Sequence, residues 1–316
     1  MQLIPLNTKI DFMRNRKIAM VLSTLLILAS IVLMATRGMN FGIDFTGGTL
    51  IEVGFTENAD LSKVRDVLDK GGYGDATAQN FGTAKDVLVR LAPREGLDTA
   101  QLSNLVVDTL EAGLDTQLDV RRVEFVGPQV GEELTEDGGL AMLYALFGIL
   151  IYVSLRFEWR FSLGAIAALI HDVLITLGLF SALQLDFDLP VLAALLAVIG
   201  YSLNDSIVVF DRIRENFRKM RKGSSTDVVN RSLNQTLSRT VITSATTLLV
   251  LAALFFLGGE IIHGFALALL FGVVIGTYSS IYIASSTLLA MGISKADLAQ
   301  IKKEGEGVSG TGGDQV

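Results

Sequence analysis

The sequence predicts a polytopic α-helical membrane protein of six transmembrane helices, with a small α+β, ferredoxin-like periplasmic domain between helices 1 and 2. Three observations lead there. Half of the 316 residues are hydrophobic, with a mean hydropathy of +0.50, too apolar for a soluble domain of this length. The apolar residues gather into six blocks, each near the length a bilayer core requires. Residues 38–137 break that pattern and carry 19 acidic against 8 basic side chains, whereas the rest of the chain carries 14 against 18. So acidic a domain is a poor match for nucleic acid. The chain has no cysteine, which removes disulfides, thiolate metal sites and thiol nucleophiles.

Residues 1–17 form a short N-terminus with Lys9, Arg14, Arg16 and Lys17. Residues 18–36 follow without a charge. A cleavable signal has an apolar core of only about 7–15 residues and a small-residue cleavage site. This block is longer and ends in Met34-Ala35-Thr36-Arg37, so it reads as a retained first span. The bases before it hold the N-terminus in the cytoplasm.

The domain at 37–137 opens with GIDFTGGT. Residues 49–55 alternate as a strand does. Residues 59–70 place Leu61, Val64, Val67 and Leu68 on one helical face, and Gly71-Gly72 stops that helix. Residues 75–81 and 86–91 read as two strands. Residues 98–112 form a second helix that turns Leu102, Leu105, Val106 and Leu110 inward, and residues 118–126 form a last strand. The order strand-helix-strand-strand-helix-strand is the split βαβ pattern, an architecture that by itself assigns no function. Gly47-Gly48 and Gly71-Gly72 lack the strand–loop–helix context of a phosphate loop.

Residues 138–293 supply the other five spans, at 138–155, 161–185, 189–210, 240–259 and within 261–293. The connection after span two holds Arg156 and Arg160, and a polar loop over 211–239 holds eight Lys and Arg. The turns after spans three (186–188) and five (258–260) contain none. By the positive-inside rule both termini are cytoplasmic and the acidic domain is outside, in the periplasm of a Gram-negative cell. Residues 294–316 read as a disordered cytoplasmic tail. The product is a multi-pass protein of the bacterial inner membrane.

Chemistry concentrates inside the membrane. Asp205 interrupts the fourth span, and a carboxylate at the centre of a spanning helix costs about 2.5–3.5 kcal/mol on insertion scales. If that helix leaves the bilayer near Phe210, Asp205 lies ~8 Å inside its cytoplasmic edge. Ser244 and Thr247 of the fifth span reach a similar depth, and Arg239 sits a turn shallower. The sequence SRTVITSATT puts Arg239, Thr243 and Thr246 on one stripe and Thr240, Ser244 and Thr247 on the next; Asn204 adds a polar neighbour. Asp205 either exchanges a proton with water while Arg239 modulates its charge, or is a fixed partner of Arg239 or of the threonines. His171-Asp172 lies ~15 Å into the third span, either as part of the same relay or as a set of interhelical hydrogen bonds. His263 reads as an interfacial histidine, and Gly264, Gly272 and Gly276 as close helix packing. No nucleophile triad, cofactor motif or metal-ligand spacing appears in the sequence.

GIDFTGGT at 42–49, IHDV at 170–173, IGYSLNDSIVVFDRIREN at 199–216 and SLNQTLSRTVITSATTLLV at 232–250 resemble the SecF family, membrane subunits of the SecDF protein-export complex in the resistance-nodulation-division superfamily. The resemblance implies an accessory subunit of the Sec translocon. Together with SecD, it would use the proton-motive force to promote protein translocation across the inner membrane. It implies contact with the SecYEG channel and YajC, indirect dependence on SecA, and an unfolded exported polypeptide as cargo. It implies that Asp205 and Arg239 handle the transported proton, with sodium not excluded as the ion, and it implies no cofactor and no enzyme activity. Three other readings compete with it. Half of a proton-driven small-molecule or lipid exporter of the same superfamily would be expected to carry a second half on the chain. An intramembrane aspartyl protease using Asp172 and Asp205 would need the two acids at equal depth. A passive scaffold leaves Asp205 without a reason.

Overall fold

The computed structural model describes residues 8–94, 98–220 and 222–294; the expected tail, from residue 295 on, lies outside them. Helix α1 (Arg16–Arg37) is the first of six helices long and apolar enough to cross a membrane. The segment before it is fastened to the helix at Ser225–Leu257. Asn234 Oδ1 accepts the Ile10 N–H and its Nδ2 donates to the Ile10 carbonyl, while Asn230 Oδ1 accepts the Met13 N–H.

The α+β domain follows as β1 (Asn40–Phe41), α2 (Ile43–Thr46), β2 (Gly48–Gly54), α3 (Leu61–Lys70), β3 (Thr77–Phe81), β4 (Thr83–Leu91), α4 (Thr99–Leu114) and β5 (Asp119–Val126). Its four-stranded sheet has the order β3-β4-β2-β5, with every neighbour antiparallel. That is the split βαβ sheet which the order of elements predicts. Asp60 caps α3 by accepting the N–H groups of Ser62 and Lys63. Ile51, Val53, Val87, Val89 and Leu91 of the sheet pack against Val64, Leu68, Leu102, Val106 and Leu110 of the helices. Leu105, expected inside, is 46% exposed. The buried stripe runs through 102, 103, 106, 107 and 110, and Leu105 falls off its edge at 100° per residue.

The membrane part comprises α5 (Pro128–Arg156), α6 (Trp159–Leu183), the two-residue strand β6 (Asp186–Phe187), α7 (Leu189–Lys219), α8 (Ser225–Leu257), α9 (His263–Ser279), a π-helical turn at Ser280–Ala284 and α10 (Ser285–Ala290). Two boundaries differ from expectation. The helix that carries the second span, expected over 138–155, starts ten residues before 138: α5 has Pro128 in its first turn, where the missing N–H costs nothing. Nor is 211–239 a loop. Helix α7 runs on to Lys219 and α8 starts at Ser225, so most of the charged stretch is helix. Arg212 and Lys219 pair with Glu215 at helical spacing, while Asp211 and Arg214 reach Arg156 and Glu158 at the end of α5 and before α6. Asn216 also donates to Ser232 and Gln235 across the hairpin, and Ser224 and Asp227 cap α8 reciprocally.

Helices α7 and α9 run parallel and meet along glycines, as the sequence predicts. A Cβ on Gly264 would approach Val191 Cγ2 to 3.1 Å, and one on Gly276 would approach Ser202 Cβ to the same distance. One on Gly272 would overlap Val198, coming within 2.7 Å of Cγ1 and closer still to Cγ2. Gly178 of α6 is similarly pressed against Ser30 of α1. Gly47-Gly48 also has a packing role. Both residues have positive φ, and Gly131 at the start of α5 packs on Gly47 so closely that a Cβ there would lie 2.8 Å from the Gly47 nitrogen. Glycine is the residue for such a crossing.

The domain is anchored on the α6–α7 connection, a segment the sequence presents as a plain turn. β1 and β6 pair in parallel, Asn40 opposite Asp186 and Phe41 opposite Phe187. Asp186 accepts from Asn40 Nδ2 at 2.5 Å and from Gln79 Nε2 at 2.6 Å, and pairs with Arg90 at 3.1 Å. Asp188 caps α7 by accepting the Val191 N–H, and Asp44 accepts the Leu189 N–H. Burial pushes the Asp188 carboxyl above its ordinary range, and the nearby charges of Asp44 and Asp186 push it the same way. A raised carboxyl pKa favours folding most where the group is protonated, and that contribution is lost as pH rises through the folded-state value. Asp188→Asn keeps an oxygen for the cap and removes the charge. It is therefore expected to raise the melting temperature at pH 7, with the gain vanishing below about pH 4. Thermal unfolding of the detergent-solubilised protein across that range checks this; a gain that persists at low pH contradicts it.

Candidate functional site

The site is built where α6, α7, α8 and α9 meet. Asp205, 9% exposed, lies on the inner face of α7. Its Oδ1 accepts the Thr240 hydroxyl of α8 at 2.7 Å, and its Oδ2 accepts the Ser280 hydroxyl from the π-helical turn. Asp172 of α6 is fully buried. Its Oδ2 accepts Ser202 of α7 at 2.5 Å and Ser279 of α9 at 2.7 Å, while its Oδ1 lies 2.8 Å from His171 Nδ1. Consecutive serines on one helix thus reach two carboxylates on two other helices. Buried carboxylates need such donors, because an unpaired charge in an apolar interior costs several kcal/mol.

The neighbouring residues extend the pattern. Thr277 Oγ1 is 2.8 Å from Ser244 Oγ of α8, and Tyr201 donates to the same Ser244 at 3.2 Å. Tyr278 stacks on the His171 ring and donates to the Ala19 carbonyl of α1 at 3.0 Å, with Ser23 Oγ equally near its hydroxyl. Residues 277–280 therefore bond to α8, α1, α6 and α7. A π turn changes how successive side chains radiate from a helix and often sits at functional sites. The turn begins at Ser280, and Ser285 Oγ donates to the Ser280 carbonyl at 3.3 Å.

Of the residues singled out in the sequence, the structure brings Asp205 and the Thr240–Ser244 stripe of α8 together in the interior, with Asp172 and His171 close behind. Arg239, Asn204 and Thr243 are exposed. Thr243 and Thr246 turn their hydroxyls back to their own helix, and Thr247 is partly buried. Among the described residues no ion pair joins Arg239 to Asp205. Instead Arg239 and Asn204 line a cleft of about 350 Å3 with Asp211, Arg212, Glu215 and Thr236, at the end away from the α+β domain. Thr236 and Thr240 lie one turn apart on α8, so this cleft ends a single turn from the Asp205 partner. His263 opens α9 at the domain-bearing end, its ring against Phe255. Sequence reasoning missed Ser202, Thr277, Ser279 and Ser280. The faint signal was the run Thr277-Tyr278-Ser279-Ser280, four polar-tipped residues inside an otherwise apolar span.

A sequence model of the family described as protein export membrane protein SecD/SecF, C-terminal, matches residues 106–294, and one for the SecD/SecF GG motif matches residues 32–59. The chain is 56% identical over 306 residues to the protein translocase subunit SecF of Vibrio alginolyticus, covering 96% of this chain and 97% of that one. It is 48% identical over 298 residues to the SecF of Escherichia coli O157:H7, covering 94% and 92%. Among solved structures it resembles SecDF, a translocon-associated membrane protein from Thermus thermophilus, with a TM-score of 0.83 and 40% identity over 92% of this chain and 39% of that longer one. Against SecDF in a super-membrane-facing form the identity and coverage are the same and the TM-score is 0.68.

Proposed function

Since the chain belongs to the SecF family of protein translocase subunits, we propose that it works with SecD beside the translocon and converts proton entry into pull on an exported polypeptide. The observation that carries the reading is Asp205: a buried carboxylate held by two hydroxyls, of which Ser280 also has the Thr277 carbonyl within reach, one helical turn from a polar cleft. Protons enter the membrane from the α+β side, bind Asp205 and leave through the cleft lined by Arg239 and Asn204. Arg239 sits at the exit, where its positive charge opposes return of a proton. Thr240 and Ser244, buried on α8, are the supporting hydroxyls of this reading.

In this reading both termini are cytoplasmic and the α+β domain is periplasmic, supported by the base-rich ends of α5 and α7 and the base-free connections at 186–188 and 258–260. SecYEG and YajC are the neighbours, SecA acts from the other side of the membrane, and no covalent chemistry is catalysed. One charge crossing ~100 mV releases ~2.3 kcal/mol, enough to bias a two-state movement about fifty-fold. That energy moves an unfolded chain but does not unfold a stable one.

A trapped export intermediate in membrane vesicles tests this. With ATP removed and a proton gradient imposed, the intermediate is expected to complete its passage only when this chain and SecD are present. Completion that ignores the gradient rejects the reading, and completion that follows a sodium gradient instead changes the ion.

A further inference from the structure

We propose that Asp172 is a second proton-binding carboxylate, loaded in alternation with Asp205 through the turn that carries Ser279 and Ser280. The inference rests on the reading that Asp205 carries a proton, and extends it to a group no part of that reading uses.

The argument is geometric. Each serine hydroxyl has one hydrogen and two acceptors. Ser279 donates to Asp172 Oδ2 at 2.7 Å and has the Gly276 carbonyl at 3.1 Å. Ser280 donates to Asp205 Oδ2 and has the Thr277 carbonyl at 3.0 Å. When the carboxylate oxygen that faces a serine takes up a proton, that oxygen becomes a donor and the serine turns to accept. The serine can do so because its own hydrogen has a carbonyl to turn to. The balance is one O–H bond formed on the carboxyl, with one negative charge neutralised by the arriving proton. Both serines sit on consecutive residues at the start of a π-helical turn. Both contacts are made together here, and the proposed alternation is a rotation of this turn that loosens one of them when its carboxyl is protonated.

His171 adds the second observation. It is 1% exposed, its Nδ1 faces Asp172, and its Nε2 is buried without a partner among the described residues. With Asp172 ionised, Nδ1–H donates and Nε2 is a bare acceptor in the interior. That is a place where a proton can wait before reaching the carboxylate. The groups facing this pair are Tyr278 from α9, stacked on the ring, Ser202 from α7 and Ser279. Asp205 is the next carboxylate, three residues beyond Ser202.

Infrared difference spectra of the complex with SecD, reconstituted in liposomes and titrated from pH 5 to 8, test the proposal. Two protonated-carboxyl bands are expected; Asp172→Asn removes one and Asp205→Asn the other. Ser279→Ala leaves both acids in place. It is expected to shift the Asp172 band to higher frequency and to move the midpoint of the Asp205 band by threefold or more in proton concentration. A single titrating band that Asp205→Asn abolishes, with Ser279→Ala leaving its midpoint unchanged, overturns the inference and leaves the Asp205 reading intact. Should Asp172→Asn fail to assemble, the Ser279→Ala midpoint alone decides. If Asp205→Asn leaves proton flux unchanged, the proposed function fails instead, and the Asp172 band is still there to be read.

Discussion

Asp205→Asn is expected to reduce export to the level of cells that lack the chain, while the protein still assembles with its partner. The substitution is nearly isosteric. Asparagine keeps one oxygen to accept from Thr240, and its amide can donate to Ser280 once that hydroxyl turns to the Thr277 carbonyl. Removing a buried charge also lifts a desolvation penalty, so stability should not fall. What disappears is the only state difference a proton could make at this position. The gradient-driven share of export then goes, a loss of up to about fifty-fold at ~100 mV. Precursor accumulation and co-purification of SecD, measured at equal membrane abundance, read the two halves of this statement. Normal export would make Asp205 a structural partner of Thr240 and Ser280 and nothing more. Asp205→Glu keeps the titratable group with one more methylene and is expected to retain part of the activity.

Gly272→Leu is expected to prevent α9 from docking on α7. Even an alanine Cβ overlaps Val198, and forcing one extra methyl into a packed helix contact costs about 1–3 kcal/mol; a leucine cannot be accommodated without separating the helices. The damage would not stay local. Gly276, Ser279 and Ser280 follow on the same helix, so a displaced α9 withdraws hydroxyls from both Asp172 and Asp205. Thermal unfolding should fall for Gly272→Ala and recover in part when Val198→Ala is added, a coupling of the kind contacting pairs show. Equal, additive losses from the two alanine changes would mean that the contact is slack. Gly264→Ala, with 3.1 Å to a flexible Val191 methyl, is expected to do little.

The two kinds of information in the chain were legible to different degrees. Asp205 stood out because a charge in an apolar run is expensive wherever the helix packs, so its presence can be read without knowing its neighbours. Ser279 and Ser280 did not stand out. Serine barely alters hydropathy, and its importance came from facing carboxylates contributed by other helices. Arg239 illustrates the converse: its spacing suggested a pair with Asp205, but helix rotation turns it to the exposed side and leaves Thr240, its neighbour in sequence, as the partner. The stretch 211–239 looked like a loop because it is polar, yet Arg212, Glu215 and Lys219 stand three and four residues apart and pair, the spacing of a solvated helix surface. The β1–β6 bridge has only two residues on each side, too short for any periodicity to announce it.

That short bridge has a mechanical consequence. Asp186 lies between the helix that carries Asp172 and the helix that carries Asp205, roughly 20 Å along α6 from the first and further from the second. The α+β domain is clamped to this point by Arg90, Gln79 and Asn40. Two stiff rods joined at their tips behave as a pair of tongs. A small change in the angle between them near the carboxylates turns the joint, and whatever is riveted to the joint turns with it. In the proposed reading, a change of angle between α6 and α7 on protonation reaches the α+β domain through this joint, with Asp186 as the rivet.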